Sequence, residues 1–470
     1  SYNSPVSIDV LRLIKGPETV RWGPGNSAGT ARFDREQPRF DKPGIQGTAS
    51  LLAGSRQRWD ENADISLGNE KGYLRLTGNK SRADDYKDGE GNSVASKWDK
   101  WSGDMALGWT PDNDTLLELT AGKSDGEARY AGRSMDGSQF KRESLGARFE
   151  KTNISEVFDK FEANVYYNYA DHVMDNYSLR SPGSNMAGGG MGNAMSSVMR
   201  MPMTMELDRR TVGGRMMGTW IGSDIELRSG ADTQLSTHRG KRAGSWVKDA
   251  RFRDYGVFSE LTWNVTEQSK IVSGARFDWV VVDDFNAQRA SKRTDMLPAG
   301  FMRFEHNLAQ LPVKLYAGLG YTERFPDYWE LFSPTYGPDG ATDAFRQVKT
   351  EKTTQLDIGA QYSGKQFNGW VSAYIGRVND FILFRYDPKN TAVSQVDNIN
   401  ATILGGEAGM SYQFTENWKT DASLAYSWGK NTDNQQPLAQ IPPLEARFGL
   451  TWEHGDWSST GLLRLVSHQH

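Results

Sequence analysis

From about Gly44 onward the chain repeats one unit: an extended segment, a short polar turn, a second extended segment, then a longer polar loop. Met105-Ala106-Leu107-Gly108-Trp109 runs into Pro111-Asp112-Asn113-Asp114, and Leu117-Glu118-Leu119-Thr120-Ala121 returns. Phe258 to Trp263 turns at Thr266-Glu267-Gln268, and Ile271 to Trp279 comes back. Gly409 to Tyr412 turns at Thr415-Glu416-Asn417, and Ala422 to Tyr426 comes back. Successive side chains of an extended chain point to opposite faces, so this alternation gives each strand an apolar face and a polar one. One set of connections is a few residues long and the opposite set is tens of residues long. That sorting matches the periplasmic turns and extracellular loops of a transmembrane β-barrel, whereas a soluble sandwich does not sort its loops by length. Counted this way, about nineteen strands are complete by Val466, while closed bacterial barrels favour even numbers. The fold class is therefore all-β, a transmembrane antiparallel barrel.

Composition supports the same class. The mean hydropathy is −0.66, and the longest aliphatic runs are as short as Trp279-Val280-Val281-Val282, so no helix of about 20 apolar residues is available to cross a bilayer. Yet aromatics make up 11% of the chain, with 15 Trp and 49 Gly. Strands that alternate apolar-out and polar-in, girdled by aromatics, produce this combination. The net charge of −4 leaves no basic footprint for nucleic acid. The absence of cysteine excludes disulfides and thiolate metal sites within these residues. No secretion signal opens the chain, so a mature or truncated form is expected.

The opening stretch, IKGPETVRWGPGNSAGTARF (Ile14 to Phe33), concentrates Gly and Pro. Gly25-Asn26-Ser27-Ala28-Gly29 satisfies G-x-S-x-G, but a nucleophile elbow requires a strand before it, a helix after it and βαβ units around it. Thr30 to Phe40 has no helical period, so the hydrolase reading is set aside. Ala83 to Asn92 lacks the ligand spacing of a calcium-binding loop and reads as a solvated loop. His238 to Arg242, HRGKR, reads as a loop facing lipopolysaccharide phosphates or water.

VLRLIKGPETVRWGPGNSAGTARF resembles the plug signature of TonB-dependent outer-membrane receptors: an apolar strand, K-G-P, an aromatic, then glycines in a small-residue turn. Lys15, Gly16, Pro17, Gly23, Gly25 and Gly29 carry that motif. Further along, RFPDYWELF (Arg324 to Phe332), EKTTQLDIGAQY (Glu351 to Tyr362), NINATILGGEAGMSY and IPPLEARFGLTW resemble the family's barrel segments, in the right order. The resemblance implies a barrel of roughly 22 strands around an internal plug. Residues 1–42 would be the last part of the plug and residues 43–470 the barrel, with the final strands and the TonB-contacting part of the plug missing. It also implies an outer-membrane location, lipid and lipopolysaccharide around the wall, TonB as energy-coupling partner, and a monomer.

Methionine is the unusual residue. Of 15, ten lie between Met174 and Met217. Met186, Met191, Met195, Met199, Met201, Met203 and Met205 fall between expected strands Phe161–Ala170 and Arg210–Ile221, in a long Gly- and Ser-rich loop. Met199, Met201, Met203 and Met205 recur every second residue, so an extended chain projects all four thioethers to one face. Scattered methionines such as Met105, Met296, Met302 and Met410 read as gap fillers. An exposed thioether stripe has little packing purpose and is open to oxidation, while thioether sulfur is a soft ligand suited to Cu(I). Among TonB-dependent receptors such a loop resembles the copper receptors of OprC and NosA type. There, a plug Cys-x-x-x-Met pair and two barrel-loop methionines complete a copper site. Met135 and Met174 match those barrel positions, with His172 as a further candidate ligand, and the plug pair would lie before Ser1. The expected function is TonB-powered copper import, Cu(I) being favoured, with no enzymatic activity. A siderophore or other metal-chelate receptor of the same fold, and a passive porin or adhesion barrel, are the alternatives. The resemblance further implies that Met135 and Met174 converge above the plug.

Overall fold

The computed structural model describes residues 10–15, 20–21, 29–34, 39–129, 136–175, 204–285, 291–387, 389–432 and 444–467. A short hairpin comes first: β1 (Val10–Lys15) pairs antiparallel with β2 (Gly29–Asp34), Lys15 opposite Gly29. The barrel wall starts with β3 (Gly44–Gly54), β4 (Arg58–Asn69) and β5 (Gly72–Ala83). A small two-stranded ear follows, β6 (Tyr86–Lys87) with β7 (Ser93–Val94). The wall resumes with β8 (Trp98–Trp109), β9 (Thr115–Ala128), β10 (Asp136–Thr152), β11 (Phe158–Asp175), β12 (Thr204–Ile221) and β13 (Ile225–Arg242). It continues with β14 (Ser245–Asn264), β15 (Ser269–Asp284), β16 (Ser291–Asn307), β17 (Val313–Arg324) and β18 (Glu351–Ser363). The last strands are β19 (Phe367–Asp387), β20 (Asn390–Gln413), β21 (Trp418–Asn431), β22 (Leu444–His454) and β23 (Trp457–Val466).

Nineteen of these strands form the barrel, in ring order from β10 through β23 to β3 and on to β9. Antiparallel register runs residue by residue between consecutive wall strands from β3 round to β23. β3 and β23, which the ring order sets side by side, are exposed along their whole lengths. The two faces differ as the alternation requires. Outward positions carry Leu107, Trp109, Leu145, Val165, Trp279 and Met302, all exposed, as lipid contact demands. Inward positions carry ion pairs, such as Arg75 with Asp64 at 3.0 Å. Among the described residues, no helix is long and apolar enough to cross a membrane.

The wall strands run well past the apolar band. His238 to Arg242, expected as a loop, belongs to β13, which reverses into β14 through Ala243 and Gly244 with φ of 50° and 79°. Two successive positive φ values define the hairpin turn whose twist suits paired strands. Between β17 and β18 the chain instead folds inward as a cap with two short helices, α1 (Tyr328–Phe332) and α2 (Ala344–Gln347). Leu331, Phe345 and Val348 of the cap pack against Val280, Val282, Leu297, Ile382 and Val396 of the wall in one buried cluster.

Candidate functional site

β11 and β12 extend beyond the strands expected from sequence, and this changes where the sulfur atoms sit. Met174 belongs to β11 and Met205 to β12, and the two are direct cross-strand partners. On its other side Met174 faces Gly137 of β10. Directly opposed residues share a face with Cβ atoms about 4.5–5.5 Å apart, so two thioethers on flexible three-bond arms can reach one ion. His172, two residues before Met174, lies on the same face by strand periodicity, opposite Leu207. Its ring stacks on Phe140 with centroids 4.5 Å apart.

That face is the lumenal one. Met205 and Leu207 line a cavity of about 690 Å³ beneath the cap, together with Tyr328, Trp329, Phe332 and Arg346. Met205 is exposed, while Met174 and His172 are half-buried. Met135, Met186, Met191, Met195, Met199, Met201 and Met203 lie outside the described residues, so the proximity of Met135 to Met174 and the one-sided stripe stand as expectations. Met135 precedes Asp136, the register partner of Asp175. The ten-methionine run itself divides: Met216 points outward and is exposed, whereas Met217 is buried beside Val20, Phe258 and Phe301. Those last two are packing methionines.

The cap is held by the segment singled out as RFPDYWELF. Arg324, at the end of β17, donates from Nη1 and Nη2 to Glu330 at 2.8 and 3.0 Å and from Nε to Glu351 at 2.6 Å. One guanidinium thus ties the start of α1 to the start of β18. Asp327 caps α1 by accepting from the Glu330 backbone N–H at 2.8 Å, and the Glu330 carboxylate accepts from the Asp327 backbone N–H at 3.0 Å, a reciprocal capping box. Tyr328 donates its hydroxyl to Asp249 and stacks flat on His238 at 4.3 Å.

Deeper in the lumen the chain before β2 meets the wall. Val20 is buried against Met217, Phe258 and Phe301, and Arg21 pairs with Glu260 at 2.7 Å. Arg276 donates to the Val20 carbonyl at 3.2 Å, to Asp232 at 2.8 Å and to Asp278 at 2.6 and 2.8 Å. A Cβ at Gly256 would collide with Arg276, Asp278 and Asp232, so glycine there is what lets the guanidinium cross the wall. Sequence reading missed this network because its members are brought together by register across β13, β14 and β15. The two residues that dock, Val20 and Arg21, do sit inside the Gly/Pro-rich opening stretch.

Comparison with known proteins agrees with this architecture. Residues 23–469 match the family described as TonB dependent receptor-like, beta-barrel. A solved structure titled "Copper transporter OprC" is 53% identical, with a TM-score of 0.93, over 99% of this chain and 75% of that one. The FrpB iron transporter from Neisseria meningitidis is 15% identical with a TM-score of 0.70, over 96% of this chain and 73% of that one. The ferric enterobactin receptor from Pseudomonas aeruginosa, in complex with enterobactin, is 15% identical with a TM-score of 0.72, over 98% and 73%. These last two show the shared fold alone. A search of curated proteins found no match. The chain belongs to the TonB-dependent receptor β-barrel family, whose members reside in the outer membrane.

Proposed function

We propose that this chain is the barrel, with the last part of the plug over residues 1–42, of an outer-membrane transporter that imports copper with energy delivered through TonB. The observation that carries the reading is 53% identity to a copper transporter over 99% of the chain, joined to a cross-strand sulfur pair of which Met205 lines the cavity under the cap. Two thioethers and an imidazole on one lumenal face form a soft donor set suited to Cu(I). Met186, Met191, Met195, Met199, Met201 and Met203 would catch the ion outside. Met174, Met205 and His172, with Met135 beside Asp136, would receive it above the plug.

The test is copper accumulation at limiting metal in cells expressing the receptor, read by elemental analysis. Met174→Leu with Met205→Leu keeps volume and apolarity and removes both sulfurs. The expected result is uptake reduced to the level of cells lacking TonB, with barrel folding unchanged. Uptake equal to the unmodified protein would remove these two residues from the copper path. TonB-independent uptake would refute active transport.

A further inference from the structure

An imidazole lies in the seam between the cap and the wall. His238 stands near the top of β13, directly opposite Arg209 of β12 and Ala250 of β14. Ala250 is five residues beyond Tyr255, whose exposed ring lies beside the exposed ring of Trp279. Outward aromatics of this kind mark the boundary between hydrocarbon and headgroups. His238 therefore sits roughly 12 Å above that boundary, outside the membrane. Tyr328, the first residue of α1, lies flat on the imidazole, with ring centroids 4.3 Å apart and planes 5° apart. Phe252 of β14 meets the same ring edge-on at 5.6 Å. Phe252 in turn meets Phe325 and Phe332 of the cap at 6.4 and 6.3 Å. The imidazole is thus the floor on which the start of α1 rests.

Such a floor responds to charge. A neutral imidazole stacks as any flat ring does, whereas an imidazolium has two N–H donors and a charge that call for water or a carboxylate. The surroundings of His238 supply little of either. Arg209 brings a like charge from β12, and Tyr328 and Phe252 offer ring surface. Of the nearby carboxylates, Asp208 is held by Arg239 and Asp249 accepts the Tyr328 hydroxyl, while Asp284, opposite Ala250, lines the cavity beneath the cap. Burial first, and the Arg209 charge second, hold His238 down at about 4 against the pull of Asp249 and Asp208. An imidazole freed into water titrates near 6.5. Between those two values the lifted cap binds a proton that the closed cap does not. Closure is therefore indifferent to pH above about 6.5, weakens as pH falls through that value, and levels off again below about 4.

We propose that His238 is an acid-sensitive latch: its neutral ring seats the cap on the wall at neutral pH, and protonation of that ring in a mildly acidic medium lifts α1. Acid thereby opens the cavity that Met205 and Leu207 line. The latch uses no metal and stands apart from the copper reading.

The experiment places the purified full chain in phosphatidylcholine nanodiscs without added metal. Hydrogen exchange read by mass spectrometry follows peptides covering residues 328–348, where the amides of Leu331, Ser333, Gln347 and Val348 donate within the cap. Corrected for intrinsic exchange rates, their protection should fall about tenfold between pH 7.5 and 5.5, while peptides of β14 and β15 keep theirs. His238→Phe leaves a flat ring under Tyr328 that cannot titrate, so its cap protection should stay constant over the same range. Constant protection in the unmodified protein overturns the proposal. So does an equal fall in His238→Phe, which would assign the effect to carboxylates. A second measurement does not depend on how that variant folds: deuterium uptake at the imidazole carbon between the two nitrogens follows each histidine separately. His238 should titrate with a midpoint below about 5.5 in the unmodified protein and near 6.5 in Tyr328→Ala. A midpoint at or above 6.5 in the unmodified protein would mean that Asp249 and the Tyr328 face hold the imidazolium in place, and it overturns the latch. Because no copper is present, failure here leaves the transport reading untouched.

Discussion

Replacing Arg276 with Met removes the one cation that holds Asp278, Asp232 and the Val20 carbonyl together. Arg276 and Asp278 are fully buried as side chains, while Asp232 keeps 18% of its surface. Breaking a buried pair from one side costs about 3–5 kcal/mol, because the remaining charge is stranded. Here Asp232 retains access to water, so the stranded charge is chiefly that of Asp278. The expected loss is near the lower end, about 3 kcal/mol. Asp278→Leu alone leaves Arg276 bound to Asp232 and should cost about 1–3 kcal/mol. The double variant removes both buried charges and should be more stable than Arg276→Met, with a coupling energy of at least about 1 kcal/mol. Equilibrium urea unfolding of the refolded barrel in vesicles, followed by tryptophan fluorescence, supplies the three differences. A second measurement separates the wall from the segment docked on it: losing the Val20 contact should speed proteolysis near Arg21 in both variants that lack Arg276. An Arg276→Met cost under about 1 kcal/mol, or a double variant no better than the single, would refute the view that the guanidinium neutralises a buried carboxylate.

Three further outcomes follow from the geometry. Gly213 has no room for a Cβ because the Tyr166 ring lies against it, so Gly213→Ala should cost about 1–3 kcal/mol, and adding Tyr166→Ala should recover part of that in the same unfolding assay. Tyr328→Phe removes the hydroxyl that Asp249 accepts and should raise protease cleavage within residues 325–350 several-fold without altering barrel stability; unchanged cleavage would mean that this hydrogen bond does not hold the cap. Arg324→Lys cannot serve Glu330 and Glu351 with a rigid fork, so cap cleavage should rise as much as in Arg324→Ala, and a Lys variant indistinguishable from the unmodified protein would show that charge alone suffices.

The barrel was legible in sequence because its lower half obeys one rule: lipid outside, polar groups inside, every second residue. The nineteen strands follow from it, but the expected sorting of loops by length holds only in part, since β3–β4 and β13–β14 reverse at the outer end in three and two residues. Above the membrane the rule lapses, since both faces meet water, and the strand ends there were misplaced. Asp171-His172-Val173-Met174-Asp175 and Met205-Glu206-Leu207-Asp208 show no clean apolar alternation, so they read as loop although they pair residue by residue. The same lapse made His238-Arg239-Gly240-Lys241-Arg242 read as loop although it belongs to β13. Resemblance marked Met174, and His172 was noted for standing two residues from it, but no local pattern could couple Met174 to Met205, because that pairing depends on the register of two strands joined by a long connection. The Arg276 network was invisible for a similar reason: Asp232, Gly256 and Arg276 belong to three strands, and none is unusual in its own segment.

The height of the methionine pair sets how far the ion still has to travel. Met174 stands about 16 residues above the start of β11, or roughly 53 Å along the strand at 3.3 Å per residue. With strands tilted by about 40° this is roughly 40 Å of vertical rise, against an apolar band about 25 Å tall. On the proposed copper path, an ion between Met174 and Met205 would thus stand above the apolar band, on the lumenal face. Capture at that height needs no passage through the low-dielectric slab, and the whole descent, several times the reach of any side chain, would lie below it.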